Sequence, residues 1–143
     1  MIAVRIGPDL RMAAVGAPDY FQTHAEPKRP QDLVDHDCIN LRLSTLGRLY
    51  AWEFEKGGRE IKVRVEGQLT FNGTAQMLTA ALSGFGLAYV PEELARPHLA
   101  KGRLKRVLAD WCPPYVGYHL YYPSRRQSSA AFALLVEALR YRG

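Results

Sequence analysis

His36, Asp37 and Cys38 stand in consecutive positions and together offer a base, a carboxylate and a thiol. A nucleophile needs its base within hydrogen-bond reach and an oxyanion site close by. Adjacent side chains on an extended chain point to opposite sides, so the trio cannot converge on one atom. A loop leading into a strand, with Cys38 as a small buried residue, accounts for it. His24, His98 and His119 are isolated, and none has a histidine three or four residues away to place two metal ligands on one helix face. There is no G-x-S-x-G elbow. Ser83-Gly84-Phe85-Gly86 has its glycines after a helix and before a strand, the reverse of a phosphate cradle. Glu53, Glu55, Glu92 and Glu93 fall on polar strand faces or in a helix's first turn, where charge is expected without chemistry. No enzyme, metal site or cofactor is expected from these residues.

One segment does suggest binding. Thr70-Phe71-Asn72-Gly73-Thr74 carries the chain from the end of a strand to the start of a helix. In open α/β sheets ligands bind in the crevice at the carboxyl ends of the strands, and unpaired N–H groups there suit a carboxylate. Capping of the helix by Asn72 or Thr74 explains the same residues without a ligand.

The elements that would position this segment follow from periodicity. Ile2, Val4 and Ile6 alternate with Ala3 and Arg5, so the chain opens on a strand, and Met12 to Val15 form a second. Pro18 suits the first turn of a short helix reaching His24, and Pro27 to Pro30 mark a surface loop. Cys38 to Leu43 reads as a strand. Tyr50, Trp52 and Phe54 alternate with polar residues, as do Ile61, Val63, Val65, Leu69 and Phe71, and Gly57-Gly58 joins the two runs into a hairpin. Gly67 lies in phase with the apolar set, which suggests a bulge or a close backbone approach. Met77, Leu78, Ala81 and Leu82 then share a helix face that Gly84 terminates. Leu87 to Val90 is a short apolar run, a helix starts at Pro91 to Leu94, and strands are expected at Leu104 to Leu108 and Tyr118 to Tyr122. A last helix, capped by Ser128 or Ser129, sets Phe132, Leu135, Val136 and Leu139 on one face, with Arg140 and Arg142 at its negative end. Strands and helices alternate around one hairpin. That order gives an α/β fold, a mixed sheet flanked by helices on both faces.

The chain has 143 residues, 48% of them hydrophobic and 23% charged, with a formal charge of +5. This is an ordinary globular composition for one domain. The basic residues lie in pairs and short groups, such as Lys28-Arg29 and Arg125-Arg126, without interleaved aromatics, so the charge reads as a solvated surface and not as a nucleic-acid groove. Two cysteines without CxxC spacing fit a reducing compartment. No apolar run approaches the roughly 20 residues of a membrane helix, and residues 1–5 lack the features of a signal peptide. The cytoplasm is the expected location, with no membrane partner.

The order of Met12-Ala-Ala-Val-Gly-Ala-Pro-Asp-Tyr-Phe21, Pro27 to Pro30 with Asp32-Leu33, and His36-Asp37-Cys38-Ile39 resembles the regulatory domain of LysR-type transcriptional regulators. The resemblance continues through Trp52-Glu-Phe54, Gly67 to Gly73, Gly84-Phe-Gly-Leu-Ala-Tyr-Val-Pro91, Gly102-Arg-Leu104, Asp110-Trp111 and Leu120-Tyr-Tyr-Pro-Ser-Arg125 into the last helix. No single motif decides it; their order and spacing do, over essentially the whole chain.

This resemblance implies a fold like the type 2 periplasmic binding proteins, with two α/β subdomains and a small effector between them. Residues 16–122 would be the second subdomain, and 1–15 with 123–143 remnants of the first. It implies an N-terminal winged helix-turn-helix that contacts DNA and lies outside a truncated chain, and assembly as a homodimer or higher oligomer. Ser44, Phe71, Asn72, Gly73 and Thr74 match cleft-facing positions for the effector. Two other classes stand beside it: a solute-binding protein on a related fold, and a small-molecule enzyme. An incomplete subdomain also leaves apolar surface exposed, so self-association is expected.

Overall fold

Residues Met12–Gly16 divide their side chains between two cores, Ala13 and Val15 entering one buried cluster and Ala14 the other. Period-2 geometry requires this of a strand covered on both faces. Ala88 and Val90 are split in the same way from Leu87 and Tyr89, and Ile39 from Cys38. The computed structural model describes residues 2–43, 47–122 and 129–142. In chain order the elements are β1 (Ile2–Arg5), β2 (Met12–Gly16), α1 (Pro18–Phe21), a 3-10 turn (Pro30–Asp35), β3 (Asn40–Leu41), β4 (Trp52–Lys56), β5 (Arg59–Val63), β6 (Thr70–Phe71), α2 (Thr74–Leu82), β7 (Ala88–Pro91), α3 (Glu92–Ala100), β8 (Lys105–Val107), a second 3-10 turn (Ala109–Trp111), β9 (His119–Tyr122) and α4 (Ala130–Leu139). They form two compact units, Arg11–Pro113 and Met1–Leu10 with Pro114–Gly143.

In the larger unit, β2 lies between β7 and β8, antiparallel to both. β3 and β6 pair in parallel, Asn40 opposite Thr70 and Leu41 opposite Phe71. A parallel bridge between Cys38 and Leu87 links the two sets, with Ile39 N–H donating to the Leu87 carbonyl at 2.8 Å and Leu87 N–H to the Asp37 carbonyl at 2.9 Å. The sheet is therefore mixed. One face carries α2 and α3 through Met77, Ala80, Ala81 and Ala95. The other carries the β4–β5 hairpin, α1 and the first 3-10 turn through Trp52, Phe54, Tyr20 and Leu33. Gly57 and Gly58, at φ 61° and 79°, make the hairpin turn in the left-handed region that glycine tolerates.

Four local expectations change. The loop expected at Pro27 to Pro30 gives way at Pro30 to a 3-10 turn, Pro30–Asp35. The strand expected over Cys38 to Leu43 narrows to Asn40–Leu41 with single bridges on either side. The run expected to continue from Ile61 to Phe71 ends at Val63, and Thr70–Phe71 pairs with β3. The cause is Gly67: a Cβ there would run into the Cys38 backbone, and Cys38 N–H donates to the Glu66 carbonyl at 2.9 Å. Gly86 makes the matching approach on the other side, against the Asp37 carbonyl. In α4 the expected apolar face is only partly used, since Val136 is buried while Leu135 is 50% exposed.

The smaller unit pairs β1 with β9, Ile2 opposite Tyr122. Ser129 Oγ accepts from Phe132 N–H at 3.1 Å and caps α4. Phe132 packs edge-on against Tyr122 with centroids 5.1 Å apart.

Candidate functional site

β3 and β6 run in the same direction, so their carboxyl ends open at one rim of the larger unit. Arg42 N–H donates to the Phe71 carbonyl at 2.7 Å, which fixes the two exits side by side. From there Phe71-Asn72-Gly73-Thr74 turns directly into α2. The structure thus brings these four expected residues together by chain geometry. Ser44 lies outside the described residues.

Their roles differ from the expected ones. Gly73, in extended backbone, occupies the N-cap position of α2 and has no side chain with which to cap it. Neither Asn72 nor Thr74 does so, which corrects the capping expectation. The end of the flexible Gln76 side chain folds back over the open side of Gly73. The first-turn N–H groups of α2 keep the partial positive charge of a helix start, and no acidic residue lies in that turn. Asn72 is exposed, with Phe71, Gly73 and Thr74 half-buried. Phe71 also packs against the α2 side of the core and lines an apolar groove of about 480 Å³ with Leu69, Ala75, Thr79 and Phe85.

Sequence reasoning missed Arg42. Its guanidinium donates to the Gly47 carbonyl at 2.7 Å and it is exposed one residue past β3. The available signal was a lone cation immediately after a short apolar strand. Among the described residues the rim therefore offers the Arg42 guanidinium, a helix start without an acid and an apolar flank, a set that suits a small anion with a hydrophobic part.

The other chemical residues are held elsewhere. Cys38 and Cys112 are both buried and free; burial first, then Asp37, pushes the Cys38 thiol up to about 12, so it carries no thiolate. His36 is turned toward Tyr20, with Nδ1 2.7 Å from its hydroxyl. Among the described residues no three His, Cys, Asp or Glu side chains are grouped to hold a metal ion. Among them also, no helix is long and apolar enough to cross a membrane.

The chain matches the family model described as LysR substrate binding domain over residues 1–143. A putative transcriptional regulator of Pseudomonas aeruginosa is 57% identical over 141 residues, covering 99% of this chain and 46% of the relative. The HTH-type transcriptional regulator PgrR of Escherichia coli is 46% identical over 143 residues, covering 100% and 48%. The chain thus spans about half the length of the curated relatives it matches. Its structure is similar to the regulatory domain of AphB in Vibrio vulnificus, with a TM-score of 0.73 and 25% identity over 96% of this chain and 67% of that one. A mixed sheet with two helices on one face and an inserted hairpin on the other, matched along its whole length, belongs to the LysR substrate-binding-domain family.

Proposed function

We propose that this chain is the effector-sensing part of a LysR-type transcriptional regulator, acting in the cytoplasm. Effector binding would change the conformation that the domain favours, and so reposition a winged helix-turn-helix outside residues 1–143 on DNA. The observation that carries this reading is the match of the whole chain to the regulatory-domain family. Relatives that are named as transcriptional regulators support it. Binding is read as sensing, without turnover.

The effector is a small carboxylate received at Phe71-Asn72-Gly73-Thr74, and the family resemblance adds Ser44 to this set. The start of α2, with neither a side-chain cap nor an acid, supports this choice of charge. Partnership in a homodimer or higher oligomer is supported by a stretch from Gly67 to Pro91 that contains no Asp, Glu, Lys, Arg or His. Phe85, 62% exposed beside the apolar groove, lies within it.

Thermal shift of the purified chain against a panel of small carboxylic acids and their amides tests the effector reading. At least one acid should raise the melting temperature, and its amide should not. Equal effects of acid and amide would refute the choice of charge. A reading frame that encodes no helix-turn-helix before residue 1 would refute the regulator. Sedimentation of wild type and Phe85→Lys tests assembly, with the variant expected to shift toward monomer.

A further inference from the structure

We propose that Tyr20, His24 and His36 form a proton-sensitive clasp on the residues leading into β3, closed near neutral pH and opened by mild acid. The hydroxyl of Tyr20 is its centre. Asp37 N–H donates to Tyr20 Oη at 3.2 Å. The hydroxyl proton therefore points the other way, to His36 Nδ1 at 2.7 Å. That contact needs Nδ1 as an acceptor, which is a neutral imidazole with its proton on Nε2. Tyr20 is 5% exposed, and burial, against the Asp37 N–H bond, pushes its own proton affinity up to about 12. The hydroxyl thus stays protonated and remains a donor.

A proton on Nδ1 would set two donors face to face. It would also create a cation beside His24, whose ring stacks on Tyr20 with centroids 4.1 Å apart and lies 6.0 Å from His36. His24 itself is fixed near the Tyr20 carbonyl at 3.1 Å. The charged groups acting on His36 are His24 from the turn after α1 and Asp35, Asp32 and Asp37 from its own segment. β5, which packs on the 3-10 turn, carries Arg59, Glu60 and Lys62, and none of these is among them. Burial first, and then His24, outweigh the three carboxylates and hold His36 below the ordinary histidine value.

The clasp matters because of what Asp37 touches. Its carbonyl accepts from Leu87, the next residue donates to Glu66, and Gly67 and Gly86 press on this peptide from both sides. Tyr20 fixes the one remaining backbone group of Asp37. A histidine whose folded affinity for protons lies below its unfolded one adds stability that is full above the unfolded pKa and is lost as pH falls through the folded value. The window opens below about pH 6.5, the ordinary histidine value.

The test is an NMR titration of the intact chain from about pH 7.5 to about pH 5, following the imidazole nitrogens and the Asp37 amide, together with melting curves. We expect His36 to be the Nε2–H tautomer at neutral pH and to titrate below the histidines of the unfolded chain. The Asp37 amide should shift with the same midpoint, and the melting temperature should fall by roughly 3 °C or more across the window. Tyr20→Phe should raise the His36 midpoint, and His36→Gln should flatten the pH dependence of melting. A His36 midpoint at or above the unfolded value, an Asp37 amide that ignores it, or a His36→Gln variant with the wild-type pH dependence would each overturn the clasp. If a variant fails to fold, the wild-type titration decides alone. No effector is involved, so the result stands apart from the proposed function.

Discussion

The β7–α3 and β6–α2 junctions of the larger unit treat the same electrostatic problem in opposite ways. At the β7–α3 junction the helix begins with Glu92 and Glu93. Glu92 N–H donates to the Arg11 carbonyl at 2.8 Å. Its carboxylate takes a hydrogen bond from Arg106, another from Arg96 at 3.2 Å, and pairs with Arg11 at 3.8 Å. The bond from Arg106, ahead of that from Arg96, holds the Glu92 carboxyl below its ordinary value despite burial. Arg106 and Arg11 in turn reach the carbonyls of Met12 and Cys112 at 2.8 Å each. At the β6–α2 junction the N-cap is Gly73, which has no side chain to cap with, and the first turn of the helix carries no acid. The first junction is neutralised from within. The second keeps the partial positive charge of its helix start, which is the feature the proposed carboxylate effector rests on.

Breaking the closed junction should give the largest effect. Glu92→Ala removes the carboxylate that Arg106, Arg96 and Arg11 share, and urea unfolding should show a loss of about 2 kcal/mol. Because the folded Glu92 binds its proton less readily than the unfolded chain, its stabilisation is complete above the ordinary carboxylate pKa and vanishes as pH falls through the folded one. The variant's acid limb should be correspondingly shallower. Closing the open junction should have a smaller effect of opposite sign. Ala75→Glu puts a carboxylate in the first turn of α2 and should add about 0.5 kcal/mol at low ionic strength. It should also weaken any carboxylate effector found by thermal shift by roughly tenfold, and unchanged affinity would refute the assignment of the open helix end. The smallest effect belongs to Asn72→Ala. With no cap to lose, it should cost less than about 0.5 kcal/mol, against about 1 kcal/mol for a capping residue.

Where side-chain period alone decides an element, the sequence was readable. The hairpin about Gly57-Gly58, the helix ended by Gly84 at φ 84°, and the Ser129 cap are all present. Period does not name a strand's partner, however. Alternation runs unbroken in phase from Ile61 to Phe71, yet the backbone leaves β4 after Val63 and joins β3, because a peptide can press against Cys38 only at a residue without Cβ. The place of the site at Phe71 to Thr74 was legible as a strand-to-helix turn. Its chemistry was not: that Gly73 and not Asn72 or Thr74 stands at the helix start is a matter of backbone conformation, and Arg42 reaches the rim beside Phe71 through a parallel pairing across the intervening hairpin.

Both thiols are sealed, Cys38 at 1% exposure and Cys112 at 3%. A molecule of this kind carries its own clock. Maleimide or iodoacetamide should meet no sulfur until the backbone opens, so the rate of alkylation reads how often each neighbourhood comes apart. Cys38 reports the parallel strands and Cys112 the segment that leaves the larger unit, so mass-resolved labelling would time the two separately without any added probe.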